Sequence, residues 1–154
     1  TQKRLRYLLH YNPKTGKWTW RASGKVAGSV DTGGYSRIKI DGKKYRSARL
    51  AYLYQTGRWP PVVVDHRNLN TANDRWKNLR PCNNSQSQAN RGVNANNKLG
   101  LKGVYQMKSR AKPFMARIMV NGEKQFLGCF RTAKEAHAAY LVAAKAGFGE
   151  FARG

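Results

Sequence analysis

Three β-branched residues, Val62-Val63-Val64, run directly into an Asp65-His66 pair, and no other stretch of the chain limits its fold so tightly. A short apolar run rich in valine reads as a buried strand. A polar, Asn-rich loop follows, then a second short strand around Leu79, then a Ser/Gln/Asn segment from Asn84 to Arg91 that suits a polar helix. An acid and an imidazole side by side at a strand end are conspicuous because acids are scarce here: 7 Asp and Glu stand against 30 Lys and Arg, with 3 His.

The resulting formal charge of +23 repels itself and calls for a polyanionic partner. Nucleic acid comes first, because aromatic residues are interleaved with the basic ones. A membrane surface fits less well, since the cations are spread along the chain and not gathered on one amphipathic helix. No apolar run approaches the ~18 residues of a membrane span. The chain opens on Thr1, as expected of a trimmed or processed product, and shows no signal-peptide pattern. Cys82 and Cys129 lie far apart without CxxC spacing, which excludes a Cys-rich zinc site and argues against structural disulfides. A reducing intracellular compartment fits.

Residues 1–57 read as a small sheet followed by a helix. Asn12 to Gly16 form a turn before an aromatic strand, Lys17 to Trp20. After Gly33-Gly34, Ile38 and Ile40 alternate with Arg37 and Lys39, the period of a half-buried strand. Asp41-Gly42 supplies a two-residue hairpin turn, and Lys43 to Arg46 return along it. Ser47 is expected to cap a helix over Ala48 to Gln55 that Gly57 ends. Arg37, Lys39, Lys43, Lys44 and Arg49 are candidate phosphate contacts on this hairpin and helix, with a plain solvated face as the alternative. Arg80 and Arg91 are further candidates. Residues 92–99 are polar and Asn-rich, with little to bury, and read as a linker.

A second module begins near residue 100. Gly103 to Tyr105 and Phe114 to Val120 read as its first two strands. Asn121-Gly122 is the strongest hairpin signal in the chain, and Lys124 to Leu127 form a third strand that Gly128 ends. Thr132 and Glu135 match a capping box for a helix whose stripe is Ala136, Ala139, Tyr140 and Ala143. His10 and His137 have no acidic or cysteine neighbour in the sequence and read as structural.

Hydrolysis of a phosphodiester needs a proton acceptor for water and a cation to neutralise the phosphate and the leaving oxygen. Adjacent residues in a strand point to opposite faces, but a strand end can turn Asp65 towards a metal while His66 faces the substrate. Asn78, with both donor and acceptor, can fix the loop or the imidazole. On spacing alone, an Asp-His pair of this kind is more often structural than catalytic. Within the larger pattern, the residues suggest a small metal-dependent nuclease site.

Asp65-His66, Asn73, Asn78-Leu79-Arg80 and a helix holding Ser85-Gln86 and Asn90-Arg91 together resemble the HNH endonucleases. The narrower likeness, over residues 7 to 91, is to phage and intron-encoded homing enzymes. The resemblance implies a ββα-metal fold at residues 60–91 and site-specific cleavage of double-stranded DNA by a phage-encoded protein in the host cytoplasm. It implies His66 as general base, Asp65 as metal ligand and Asn78 as the central supporting asparagine. The implied cofactor is Mg²⁺ or Mn²⁺, and the implied products carry a 5′ phosphate and a 3′ hydroxyl. Where the family's helix supplies a second metal ligand, His or Asn, this chain has Ser87, a poor neutral ligand for a hard dication. Asn83, Asn84 and Asn90 share its helical face, and the expected ligand set is Asp65, Ser87 and Asn90. The alternative is a degenerate HNH protein that binds duplex DNA without cutting it.

Lys102-Gly103-Val104-Tyr105, Ala116-Arg117-Ile118, Phe126 to Phe130, Thr132 to Ala144 and Phe148 to Ala152 resemble the APETALA/ethylene-response-factor DNA-binding domain. That domain lays a three-stranded sheet in the major groove, which admits a β-ribbon. The resemblance puts Lys102, Tyr105, Met107, Arg117, Met119, Lys124 and Phe126 towards DNA; for Tyr105 and Phe126 the alternative is core packing. Lys108, Arg110 and Lys112 are phosphate candidates on charge alone. The expected fold is α+β. A small N-terminal sheet and a ββα-metal nuclease core occupy residues 1–91, and a three-stranded antiparallel sheet packed on one helix occupies 100–154. The expected protein is a monomer that binds duplex DNA, with neither a membrane nor a small-molecule substrate.

Overall fold

The computed structural model describes residues 1–108 and 111–154. The fold is α+β, divided into two compact units, Thr1–Asn83 and Asn84–Gly154. The division falls before the polar helix, whereas the sequence places the boundary after Arg91. Among the described residues, no helix is long and apolar enough to cross a membrane.

The first unit opens with α1 (Gln2–Leu8), a helix with no counterpart in the sequence reading; it buries only Leu5. β1 (Leu9–Tyr11) pairs antiparallel with β2 (Trp18–Trp20). The Asn12 side chain accepts from the Lys14 and Thr15 amides, 3.0 and 3.2 Å, and so sets the intervening turn. β3 (Ser29–Val30), β4 (Ser36–Ile40) and β5 (Lys43–Arg46) form a three-stranded sheet. The Asp41-Gly42 hairpin turn has φ of 47° and 81°, the positive values that Gly tolerates most readily.

α2 (Ser47–Thr56) follows, ended by Gly57 in the left-handed region as expected. Its start differs from the sequence reading. Arg46 holds the N-cap position without a side-chain bond, and Ser47 is the first helical residue. The Ser47 hydroxyl is instead fully buried, bonded to the Ser36 carbonyl at 3.1 Å and to the Asp74 carboxylate. A tertiary partner has overridden the local capping preference.

β6 (Val63–His66) pairs antiparallel with β7 (Leu79–Cys82). Val64 and Leu79 reach the core formed by Leu5, Leu9, Tyr11, Trp18, Leu50 and Leu53. Burying each leucine of this set contributes about 1.5–3 kcal/mol, so the hairpin carrying Asp65 and His66 is anchored by its apolar neighbours.

In the second unit, α3 (Asn84–Asn90) precedes β8 (Val104–Gln106), β9 (Phe114–Val120) and β10 (Glu123–Phe130), which form an antiparallel sheet in the order β10-β9-β8. β10 continues past Gly128, which the sequence reading places at the strand's end. The register shifts between Phe126 and Gly128, and Gly128 takes φ 127° inside the irregularity. α4 (Ala133–Phe148) starts with the expected capping box between Thr132 and Glu135. Ala116, Val104 and Ala136 form the buried centre of this sheet-and-helix pair. On α4 the buried positions are Ala136, Tyr140, Ala144 and Phe148, one residue beyond the expected Ala143. Cys82 is buried and Cys129 half-buried, and the two do not form a disulfide with each other.

Candidate active site

Register decides the first contact. Asp65 lies opposite Arg80 across the β6–β7 pair, and His66 lies opposite Leu79. The Arg80 Nε donates to Asp65 Oδ2 at 2.9 Å, with both side chains nearly fully buried. Arg80, a candidate for DNA contact, thus sits beneath the site with its charge turned to Asp65 and not on the open surface.

His66 is also buried, at 5 % exposure. Its Nε2 lies 2.9 Å from Asp74 Oδ1. Asp74 comes from the loop between the two strands, and that loop is built by asparagine side chains standing in for backbone groups. Asn78 Nδ2 donates to the Asn73 carbonyl at 2.7 Å, and Asn78 Oδ1 accepts from the Asn68 amide at 3.1 Å. Asn68 and Asn70 each accept from the amide two residues on. Asn78 therefore ties both ends of the loop together, the first of the two tasks its amide suits.

Asp74 is held from several sides. Its second carboxylate oxygen accepts from Ser47, and its carbonyl accepts from the Tyr11 hydroxyl at 2.6 Å. Burial, and then the Asp74 charge, push the Tyr11 phenol above its ordinary range, so it stays a donor. Gly16 passes directly beneath. A Cβ there would lie 2.6 Å from Arg75 N and from the Asp74 carbonyl carbon, and the residue has φ +75°. Gly16→Ala is therefore expected to cost more than the ~1–2 kcal/mol of a left-handed alanine, because rigid backbone must also shift. Thermal denaturation checks this; an unchanged Tm would contradict the described packing.

A cleft of about 320 Å³ opens beside the imidazole, lined in part by Tyr35, Arg46, Arg49, Val63 and Thr71. The Arg46 guanidinium lies 4.0 Å from the Tyr35 ring centre. The sequence reading places neither Tyr35 nor Arg46 in the site, and it passes over Asp74 and the side-chain role of Ser47. One signal could have found Asp74: it is one of only 7 acids in the chain and lies eight positions after His66.

Among the described residues, no three His, Cys, Asp or Glu side chains gather where one cation could bind. Asp65 nonetheless offers a hard oxygen ligand. That suits Mg²⁺, which is commonly held by one or two carboxylates together with substrate phosphates and water. Ser87 and Asn90 lie on α3, in the second unit, where Asn90 is buried.

The other predicted residues are scattered by environment. Lys39, Lys43 and Lys44 are exposed on β4 and β5. Arg37 pairs with Asp31, whose carboxyl is held below its usual range first by the Tyr35 amide and then by Arg37. Arg49 is half-buried, bonded to the Val62 carbonyl and 5.8 Å from the Trp59 ring centre. In the second unit, Arg91 and Lys108 are exposed. Lys102 turns its ammonium to the Ala89 and Arg91 carbonyls, and burial lowers its pKa. Arg110 lies outside the described residues. Tyr105, Arg117, Met119, Lys124 and Phe126 are all exposed; Arg117 stands opposite Phe126, and Met119 opposite Lys124. The Arg117 guanidinium lies 4.0 Å from the Tyr105 ring centre. Core packing, the alternative for Tyr105 and Phe126, does not occur. The His137 ring is bonded to the Lys102 carbonyl at 3.1 Å.

Residues 46–89 match the family model described as HNH endonuclease. That segment takes in α2, both strands of the β6–β7 pair, the Asp74 loop and most of α3. No curated protein matches the chain. Among solved structures it is similar to one described as DNA binding and cleavage by the HNH homing endonuclease I-HmuI, with 21% identity and a TM-score of 0.44. The match covers 91% of this chain and 84% of that one.

Proposed function

We propose that the protein is a metal-dependent DNA endonuclease of the HNH type, with His66 as the base that deprotonates the attacking water. The observation that carries this reading is the buried His66–Asp74 pair beside Asp65 at the end of β6, inside the segment that matches the HNH model. The water oxygen bonds to phosphorus as the bond from phosphorus to the 3′ oxygen breaks. The water proton passes to His66, and the leaving oxygen is protonated from solvent. The fragments then carry a 5′ phosphate and a 3′ hydroxyl. A bound Mg²⁺ or Mn²⁺ would supply neutralisation of charge on the phosphate and the leaving oxygen. Asp65 would hold that ion. Ser87 and Asn90 enter the ligand set on sequence order alone. Asn78 contributes by fixing the loop that carries Asp74.

Duplex DNA is the partner that the charge of +23 favours. Lys39, Lys43 and Lys44 offer phosphate contacts. The exposed sheet residues Tyr105, Arg117, Met119, Lys124 and Phe126 combine cations with apolar surface, a composition suited to a groove. Ser87 favours a second reading: a chain that holds duplex DNA but cuts it weakly or not at all, because a neutral hydroxyl replaces a stronger ligand.

The test is cleavage of supercoiled plasmid and of heterogeneous genomic duplex with Mg²⁺ or Mn²⁺, before and after chelation by EDTA. Cleavage that stops on chelation and returns with excess metal is expected. Cleavage that continues in EDTA would sink the metal-dependent mechanism, and retained but uncut duplex in both metals would favour the second reading.

A further inference from the structure

We propose that Asp74 is the positioning residue for His66, with Ser47 fixing Asp74 in turn; this rests on the reading of His66 as the base. An ionised carboxylate only accepts hydrogen bonds. With Asp74 Oδ1 at 2.9 Å, the Nε2 of His66 must therefore be the protonated ring nitrogen. The neutral imidazole then has Nδ1 as its acceptor, and Nδ1 is the atom that takes the water proton. Asp74 thus selects the tautomer and fixes the ring plane.

The support for Asp74 runs deeper than one contact. Asp74 is 3 % exposed, so little of its carboxylate is open to water. Ser47, at 0 % exposure, bonds its second oxygen from the start of α2. Tyr11 and Gly16 locate its backbone. Three separate parts of the first unit thereby converge on one acid that touches the candidate base. A loop acid with no function would more readily be solvated, since burying a carboxylate costs several kcal/mol unless it is well bonded.

The Asp74→Asn variant separates positioning from charge. An asparagine keeps an acceptor oxygen for Nε2–H, and its NH₂ can donate to the Ser47 oxygen while Ser47 donates to the Ser36 carbonyl. Asp74→Ala keeps neither contact.

The experiment is ¹⁵N NMR of the imidazoles in the full chain, with His66 assigned by loss of its signals in His66→Ala, and cleavage kinetics run in parallel. Wild type is expected to show the Nε2–H tautomer for His66. Asp74→Asn should retain it, whereas Asp74→Ala should lose it and lower kcat by about 10- to 100-fold, with KM little changed. A wild-type His66 in the Nδ1–H tautomer would overturn the inference whatever the Asp74 variants show. So would an Asp74→Ala protein that keeps the wild-type imidazole signals. Unimpaired cleavage by His66→Ala would instead remove the base reading, which the tautomer measurement does not depend on.

Discussion

Replacing His66 with alanine is expected to reduce cleavage by about 10²- to 10⁴-fold, the usual contribution of a positioned general base, while affinity for duplex DNA changes little. Two features of the site lead to that separation. His66 is buried behind the mouth of its cleft, so it adds little to the charged surface that attracts the phosphate backbone. The exposed cations, such as Lys43, Lys44 and Lys124, are unaffected by the substitution. The variant also removes one of two partners of a buried carboxylate, so a thermal melt must accompany the assay to show that the protein remains folded. Electrophoretic mobility shifts with labelled duplex measure the binding arm. Parallel loss of binding and cleavage in a folded variant would mean that His66 holds DNA and does not act on water.

Asp65→Ala should destabilise the fold by about 3–5 kcal/mol, because it breaks a buried ion pair by removing the carboxylate bonded to Arg80 Nε. That is a large share of the ~5–15 kcal/mol that holds a typical domain together. The effect bears on any test of metal binding. An Asp65→Ala protein that fails to cut DNA could have lost its cation or its fold, and activity alone would not distinguish them. Asp65→Asn keeps an acceptor for Arg80 and should be milder. Pairing Asp65→Ala with Arg80→Met should recover much of the lost stability, because a buried ion pair replaced by apolar side chains of similar volume is often nearly neutral. Urea denaturation of the single and double variants measures this. Equal losses in both would show that a buried Arg80 charge without Asp65 is not the source of the destabilisation.

Local pattern made several features legible in the sequence. Alternation around Ile38, and the Asp41-Gly42 and Asn121-Gly122 turns, marked hairpins that the structure contains. The Thr132–Glu135 capping box likewise needs only neighbours in sequence. Contacts between distant parts of the chain were not legible. Ser47 has the composition of a helix cap, but an acid 27 positions away claims its hydroxyl. Asp74 stands out only as one of 7 acids, and nothing in its immediate neighbours shows that folding brings it against His66. Arg80 reads as a surface cation because nothing in its immediate neighbours reveals that strand register sets it opposite Asp65. α1 escaped notice because a helix that buries a single leucine shows no apolar stripe. At Gly128, the same glycine that can end a strand serves within one, as a register irregularity.

The most direct test of the central claim is cleavage of heterogeneous duplex DNA in H₂¹⁸O with Mn²⁺, by wild type and His66→Ala side by side, with mass analysis of the new ends. Water activated by His66 predicts ¹⁸O on 5′ phosphates in the wild-type reaction, intact 3′ hydroxyls, and almost no product from the variant. Label on 3′ phosphates, or equal product from both proteins, would contradict it.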